Sequence, residues 1–219
     1  MNQTGADKKA GKWFLQSVED YARPKLVALV PSFVETYHLT VMTVLWSAGV
    51  VLAGWLAREN INWLWFSSLM LVCQYLTDLL DGAVGRARST GLIKWGFYMD
   101  HFLDYIFFTA LILSYSFVFP VEEVYWLMAI GLLQIGFMIN MFLAFAVTQE
   151  FKISVAGFGP TEIRILYIIF NTLLIFFDLG IFIPLIPYFA LAVLVALAVV
   201  VCGTGAKLWQ LDMLAKNHQ

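Results

Sequence analysis

The sequence has few charged residues: Asp, Glu, Lys and Arg make up 13% of its 219 residues, against about a quarter in an ordinary soluble domain. Cysteine is also scarce. Cys73 and Cys202 lie singly in apolar segments, which excludes a disulfide framework and a cysteine metal site. The net charge of -2 comes with no basic patch for a nucleic-acid partner. Since hydrophobic residues make up 61%, water is not the main solvent of this chain.

Long apolar runs are abundant instead. Crossing a bilayer takes about 20 mostly apolar residues, and runs of that order occupy 36–57, 60–77, 105–121 and 124–149. After Arg164 the apolar sequence continues almost to Lys207, and Pro184 and Pro187 mark a turn between two further helices. The sequence therefore predicts an all-α polytopic membrane protein with six transmembrane helices, forming one domain over residues 1–219.

The N-terminal segment 1–32 lacks an apolar core followed by a small-residue cleavage site, so a cleaved signal peptide is not predicted. From Trp13 onward, apolar residues recur at helical spacing among charged ones: Phe14, Val18, Tyr21, Leu26, Leu29 and Val30. This pattern is typical of an amphipathic helix that lies in the membrane surface. We predict that segment 1–32 is cytoplasmic and interfacial.

The distribution of basic residues predicts the orientation. With six spans and an internal N-terminus, Arg58 alone lies outside. The inner side then holds Lys8, Lys9, Lys12, Arg23, Lys25, Arg86, Arg88, Lys94, Lys152, Arg164, Lys207 and Lys216. Because inner loops carry an excess of Lys and Arg, both termini are predicted to be cytoplasmic.

Four aspartates flank one predicted cytoplasmic turn: Asp78 and Asp81 end the second span, and Asp100 and Asp104 begin the third. Each ionisable group in a membrane costs about 2.5–3.5 kcal/mol on insertion scales, so a cluster indicates function. Residues three or four apart share one helix face. The short connection makes the two helices antiparallel neighbours, so all four carboxylates are predicted to converge.

Converging carboxylates repel each other unless a cation lies between them. Oxygen ligands select hard ions, so we predict Mg²⁺ or Mn²⁺, one ion or more readily two. Such ions neutralise charge on a pyrophosphate and its leaving group. Gly82 and Gly85 would let a nucleotide approach the backbone, and Arg86 offers a planar fork for phosphate oxygens.

The segment from Asp78 to Asp104 resembles the signature of the CDP-alcohol phosphotransferase (CDP-alcohol phosphatidyltransferase) family. That signature is Asp-x-x-Asp-Gly-x-x-Ala-Arg, eight or nine residues, then Gly-x-x-x-Asp-x-x-x-Asp. The positions in register are Asp78, Asp81, Gly82, Arg86, Gly96, Asp100 and Asp104. One position departs from it, because Gly85 stands where the signature has alanine.

The resemblance implies a role for each matching residue. Asp78, Asp81 and Asp100, with Asp104 beside them, would bind the metal ions. The CDP-linked donor would contact Gly82, Gly85, Arg86 and, at the start of the first span, Thr40. Asp104 would take the proton from the attacking hydroxyl, and CMP would be released. The substrates would be a CDP-linked donor and an alcohol acceptor, one of them a lipid, and the enzyme a homodimer.

His101 has two interpretations. It either shares the role of general base with Asp104 or caps the membrane edge. The Asp100-His101 step is similar to that of the eukaryotic choline and ethanolamine phosphotransferases, which favours a lipid acceptor. Whether the donor is CDP-diacylglycerol or a small CDP-alcohol stays open.

Two other functions compete with the transferase. One is an ion or proton transporter with an aspartate-lined pathway, but the acids cluster on one side of the membrane and no broken-helix pair occurs near the midplane. The other is an intramembrane protease, which needs two acids deep in facing helices and no metal. The spacing of the four aspartates favours the transferase.

Overall fold

The computed structural model describes residues 9–10, 14–149, 151–152 and 159–217. Over these ranges the chain forms seven α-helices: α1 (Gln16–Leu29), α2 (Thr36–Ala57), α3 (Leu64–Arg88), α4 (Ile93–Val118), α5 (Val124–Thr148), α6 (Pro160–Phe176) and α7 (Ile186–Asn217). Two strands of two residues each, β1 (Lys9–Ala10) and β2 (Phe151–Lys152), pair in parallel. The prediction of a helical protein is confirmed, and this strand pair was not predicted. Lys8, Lys12 and Trp13, on which part of the N-terminal prediction depends, lie outside the described residues.

Five segments of the described chain are long and apolar enough to cross a membrane: Thr36–Ala57, Ile61–Arg88, Ile93–Val118, Val121–Thr148 and Leu179–Asn217. These segments contain α2, α3, α4, α5 and α7. Helix α6 is not among these five segments; it has 17 residues and is shorter than each of them. The chain is therefore a membrane protein.

Helices α3 and α4 extend beyond the apolar runs that predicted them. Helix α3 continues to Arg88 and α4 begins at Ile93, so the acidic segments belong to regular helix. Ser89 ends α3 in the left-handed conformation, with φ of 58°. The short link 89–92 brings the end of α3 next to the start of α4.

Helix α2 packs against α3 and α4 along its length. The approach to α4 is close at Gly54, where an added Cβ would lie within 2.6 Å of Ser114 atoms, including backbone atoms. Small residues let membrane helices approach this closely. A buried apolar cluster that includes Val50, Leu71 and Phe107 joins the three helices. This three-helix unit carries the four aspartates.

Helix α6 runs antiparallel to α3 over much of its depth. At one end Arg164 lies against Gln74. Further along, Asn171 donates a hydrogen bond of 3.0 Å to Ser68 Oγ. Asn171 also accepts a 2.8 Å hydrogen bond from the Tyr115 hydroxyl. Because Asn171 is fully buried, these bonds satisfy a polar group in the interior.

Helix α1 docks on the end of the bundle that carries the aspartates. Its Glu19 is buried and accepts hydrogen bonds from Thr161 on α6 at 2.5 Å and Tyr75 on α3 at 3.4 Å. The guanidinium of Arg88 donates to the carbonyls of Val30, at 2.7 Å, and of three of the next four residues. These contacts attach the segment between α1 and α2 to the end of α3.

Candidate active site

The four predicted acids come from two helix ends that face each other. Asp78 and Asp81 lie in the last three turns of α3, and Asp100 and Asp104 lie in the first turns of α4. Asp81 is buried, and the other three are partly buried. Asp81 lies within electrostatic range of Asp78 and Asp100. The structure thus brings the two pairs to one end of the helix bundle.

Arg164 of α6 links one acid from each pair. Its Nη2 lies 2.8 Å from Asp78 Oδ2 and 3.5 Å from Asp104 Oδ1. Its side chain is 4% exposed, so the guanidinium is a buried cation among buried or half-buried anions. Such a charge is stable only when it is paired and hydrogen-bonded. From the sequence Arg164 was placed at the inner membrane side, as a residue that could border the acceptor pocket, and the structure puts it within the acid cluster.

Gln74 completes a closed set of contacts. Its amide Nε2 donates to Asp104 Oδ1 at 3.1 Å, and its Oε1 accepts from Arg164 Nε at 2.6 Å. Gln74 is 1% exposed. Because Gln74 lies four residues before Asp78, both project from the same face of α3. The amide therefore orients Asp104 and Arg164 relative to each other.

Asp81 has a different environment, at the contact with α2. Thr40 donates from Oγ1 to Asp81 Oδ2 at 3.0 Å, and the Gly82 amide donates to Asp81 Oδ1. Thr36 donates to the Asp81 carbonyl at 3.0 Å. Thr40 was predicted to contact the CDP-linked donor. The structure shows that its hydroxyl donates a hydrogen bond to the carboxylate of Asp81. Each carboxylate oxygen keeps a further lone pair for another ligand.

Asp100, His101 and Asp104 form a compact group on α4. His101 Nδ1 lies 3.2 Å from Asp100 Oδ2. One ligand atom from each of the three residues lies within 4.8 Å of the others, a spacing that suits one metal ion. Oxygen donors dominate the site, and this donor set fits a hard divalent cation.

Arg86 and Gly82 present a cationic surface beside the acids. The guanidinium of Arg86 folds back over Gly82, with Nη1 3.2 Å from where a Cβ would lie on that glycine. Arg86 is exposed, and its guanidinium makes no hydrogen bond or ion pair with the part of the chain that the structure describes. Its donors can thus meet an anionic ligand. Gly96 also faces open space, because beyond its own helix backbone no atom of the described residues lies within 4 Å of an added Cβ.

Gly85 has a packing role that sequence analysis did not identify. A Cβ at this position would lie 2.7 Å from Thr36 Oγ1 and 2.9 Å from the Gly91 Cα. The space left by the missing side chain is therefore filled by protein. Close helix contact explains why this residue is glycine, whereas the predicted contact with a nucleotide stays a prediction.

Sequence analysis missed Gln74 and the pairing of Arg164 with Asp78 and Asp104. The available signals were polar side chains within apolar helices: Gln74 at helical spacing from Asp78, and a lone arginine inside the segment that follows residue 159. Polar residues in membrane helices usually face the interior of the bundle. That rule predicts burial but does not identify the partner.

Comparison with protein families shows which family the chain resembles over most of its length. Residues 35–204 match the family model described as CDP-alcohol phosphatidyltransferase. This range begins one residue before α2 and extends into α7, so it contains all four aspartates and Arg164. Neither the curated proteins nor the solved structures that were compared match the chain.

Proposed function

The chain belongs to the CDP-alcohol phosphatidyltransferase family, membrane transferases of phospholipid biosynthesis, and from that premise we propose its reaction. A substituted phosphate group is transferred from a CDP-linked donor to an alcohol acceptor, and CMP is released. The observation that carries this proposal is the meeting of Asp78 from α3 and Asp104 from α4 at one nitrogen of Arg164. This cluster joins two helices into a single anionic site.

Members of this family generally depend on a divalent metal ion. We propose Mg²⁺ or Mn²⁺, two ions in all, with Asp78, Asp81, Asp100 and Asp104 as the residues that would hold them. When bound, the ions would neutralise charge on the pyrophosphate and the leaving group. The carboxylate-rich donor set and the compact group around Asp100 support this assignment.

The residues of the chain would bind the donor and move the proton. Arg86, folded over Gly82, would donate hydrogen bonds to phosphate oxygens, since a guanidinium matches their geometry. Asp104, assisted by His101 or replaced by it, would accept the proton of the acceptor hydroxyl. The hydroxyl oxygen bonds to the phosphorus next to the non-nucleotide group. The bond from that phosphorus to the bridging oxygen breaks, and CMP leaves.

The substrates of the family are a CDP-linked alcohol and an alcohol acceptor. We propose that one of the two is a lipid here and that the enzyme works as a homodimer. The family match does not favour the alternative of an ion or proton transporter.

We propose a topology of six spans, in which α6 crosses the membrane in addition to the five segments described above. Seventeen helical residues are about 26 Å long, close to the roughly 30 Å of a hydrocarbon core. Its contacts with α3, from Arg164 to Asn171, support a crossing. Both termini and the active site would face the cytoplasm, and the chain 1–219 would be one domain. The exposed Phe14, Val18 and Tyr21 of the N-terminal segment would face the membrane surface.

The test is CMP release by purified, detergent-solubilised protein. It is run with Mn²⁺, a pool of alcohol acceptors, and CDP-diacylglycerol, CDP-choline or CDP-ethanolamine as donor. We expect one donor class to be consumed. Asp104→Asn removes the proposed proton acceptor and should abolish the release. Asp81→Asn should do the same, because a neutral amide is a poor ligand for a hard cation.

Asp178→Asn is the matched control. Asp178 caps the turn after α6 through a 2.6 Å hydrogen bond from the Gly180 amide, and an asparagine keeps that acceptor. This variant should release CMP at the wild-type rate. The proposal is wrong if no donor is consumed by folded wild-type protein, or if the Asp104 and Asp178 variants behave alike.

A further inference from the structure

Two further buried carboxylates lie near the acid cluster, and no step of the proposed reaction uses them. Glu19 belongs to α1, and Glu162 belongs to the first turn of α6. Their side chains are 5% and 8% exposed. Burial of a carboxylate is costly unless hydrogen bonds compensate it. The partners of these two side chains therefore indicate what they hold in place.

Each of the two carboxylates reaches across to the other helix. Glu19 Oε1 accepts a 2.5 Å hydrogen bond from the Thr161 hydroxyl of α6. In the opposite direction, Glu162 Oε1 accepts a 3.0 Å hydrogen bond from the backbone amide of Leu15, the residue that precedes α1. Negative charge is favourable there, because the first amides of a helix have no partner within it. These four residues, Leu15, Glu19, Thr161 and Glu162, form what we call the α1–α6 clasp.

The clasp is tied to α3 and to the start of α6. Tyr75 of α3 donates to Glu19 Oε1 at 3.4 Å, and it lies within electrostatic range of both Glu19 and Arg164. Glu162 Oε2 accepts a 2.8 Å hydrogen bond from the Gly159 amide, which fixes the backbone where α6 begins. Three helices therefore meet at the carboxylate of Glu19.

The first turn of α6 determines where Arg164 lies. Thr161 and Arg164 are both buried and three residues apart, so they share one face of α6 about 4.5 Å apart along its axis. Nη2 of Arg164 lies 2.8 Å from Asp78 and 3.5 Å from Asp104. A displacement of about 1 Å at an active site can lower a rate a hundredfold. A contact that fixes this turn therefore also fixes the geometry of the acid cluster.

We propose that Glu19 is a positioning residue for the transfer reaction, acting through Thr161 and Arg164 on the acid cluster. The inference rests on the proposed function and adds to it a side chain from outside the two aspartate helices. Helix α1 is thereby part of the support of the active site. The proposed donor-binding residues Gly82 and Arg86 lie on α3 and outside the clasp, so the clasp affects the transfer step more than donor binding.

The first measurement is backbone hydrogen exchange of the detergent-solubilised protein, read by mass spectrometry, which needs no turnover. Glu19→Ala removes the acceptor of the Thr161 hydroxyl. The amides of residues 163–168 should then exchange about tenfold faster, the effect of losing one hydrogen bond to a charged group, while those of α2 exchange as in the wild type. Thr161→Val keeps the size of the side chain and should have the same effect. Thr161→Ser keeps the hydroxyl and should exchange like the wild type.

The second measurement is the steady-state kinetics of CMP release, calculated on protein that elutes as folded. Glu19→Ala and Thr161→Val should each lower kcat about tenfold to a hundredfold, with little change in KM for the CDP-linked donor. Thr161→Ser should keep most of the wild-type kcat. Because the two substitutions remove the same contact, the double variant should be no slower than the slower single variant. Thr161→Val serves alone if the Glu19 variant does not elute as folded protein.

Asp20→Ala is the matched control. Asp20 is the next residue of α1, its side chain is 53% exposed, and its carboxylate pairs with Arg23 of the same helix at 2.8 Å. The variant removes one negative charge from α1 and leaves the clasp in place. Both its exchange over residues 163–168 and its kcat should match those of the wild type.

Four results would overturn the assignment of Glu19. The first is unchanged exchange over residues 163–168, or unchanged kcat, in both clasp variants. The second is an equal loss in Asp20→Ala. The third is a Thr161→Ser variant as impaired as Thr161→Val. The fourth is a raised KM for the donor with unchanged kcat. Absence of CMP release by the wild type, together with the expected exchange contrast, would contradict the proposed function alone, since Glu19 would still be shown to hold the first turn of α6.

Discussion

Nη2 of Arg164 on α6 lies 2.8 Å from Oδ2 of Asp78 on α3, and the arginine side chain is 4% exposed. Removing one partner of a buried ion pair leaves the other charge uncompensated and typically costs about 3–5 kcal/mol. Arg164→Gln should therefore lower the midpoint of thermal unfolding in detergent and abolish CMP release. Tryptophan fluorescence measures the unfolding.

Arg58→Gln provides the control for that experiment, since Arg58 is exposed at the end of α2. Its unfolding midpoint should stay that of the wild type. An Arg164 variant as stable as the Arg58 variant would show that the pair does not hold α6 against α3.

Gln74 is expected to act by positioning Asp104. Gln74→Leu keeps the approximate size but removes the 3.1 Å hydrogen bond to Asp104 Oδ1 and the acceptor for Arg164. A hydrogen bond to a charged group contributes about 1.5–3 kcal/mol. We expect a fall in kcat of about tenfold to a hundredfold with a smaller change in KM for the donor.

The double variant Gln74→Leu with Arg164→Gln separates positioning from general damage to the fold. Because the two side chains touch, their effects on the free energy of unfolding should not be additive. Additive effects would contradict the closed set of contacts described above.

Thr40 distinguishes two roles for a hydroxyl at the site. Its Oγ1 donates a hydrogen bond of 3.0 Å to Asp81 Oδ2. Thr40→Val removes this hydrogen bond from a buried carboxylate and should therefore reduce kcat. Thr40→Ser keeps the hydroxyl and should retain most activity. If Thr40→Val instead raises only the KM for the donor, Thr40 contacts the nucleotide rather than orienting Asp81.

Replacing Gly85 by alanine tests whether the close packing of this chain or the family signature decides which residue this position tolerates. Alanine is the residue that the family signature has at this position, yet a Cβ here would lie 2.7 Å from Thr36 Oγ1 and 2.9 Å from the Gly91 Cα. Overpacking of this kind costs about 1–3 kcal/mol. Gly85→Ala should therefore lower the unfolding midpoint of this chain.

Gly96→Ala is the paired control, because beyond the local helix backbone none of the residues that the structure describes lies within 4 Å of an added Cβ there. Alanine in a helix is about 0.5–1 kcal/mol more favourable than glycine, so this variant should be as stable as the wild type or more stable. Equal destabilisation by both alanines would contradict the close contact at Gly85.

Sequence analysis predicted the parts of this fold that depend on nearby residues. The apolar runs predicted α2 to α5. Helix periodicity alone predicted that Asp78 and Asp81 project from the same face of their helix. The link 89–92 is short, so the adjacency of α3 and α4 also followed from the chain. The family resemblance was confirmed by the match over residues 35–204.

Contacts between distant segments could not be predicted in the same way. The pairing of Arg164 with Asp78 depends on how α6 is rotated against α3, and that rotation is set by the packing of many side chains. The same holds for Thr40 and Asp81. Gly85 was interpreted as space for a ligand because the sequence does not reveal that Thr36 and Gly91 fill it.

CMP release measured against Mn²⁺ concentration tests the central claim most directly. Wild-type protein is treated with a chelator, and Mn²⁺ is then restored in steps with the CDP-linked donor and acceptor present. The account predicts no release in the chelator, recovery with Mn²⁺, and no recovery at any concentration for Asp81→Asn. Undiminished release in the chelator, or equal recovery by Asp81→Asn, would contradict it.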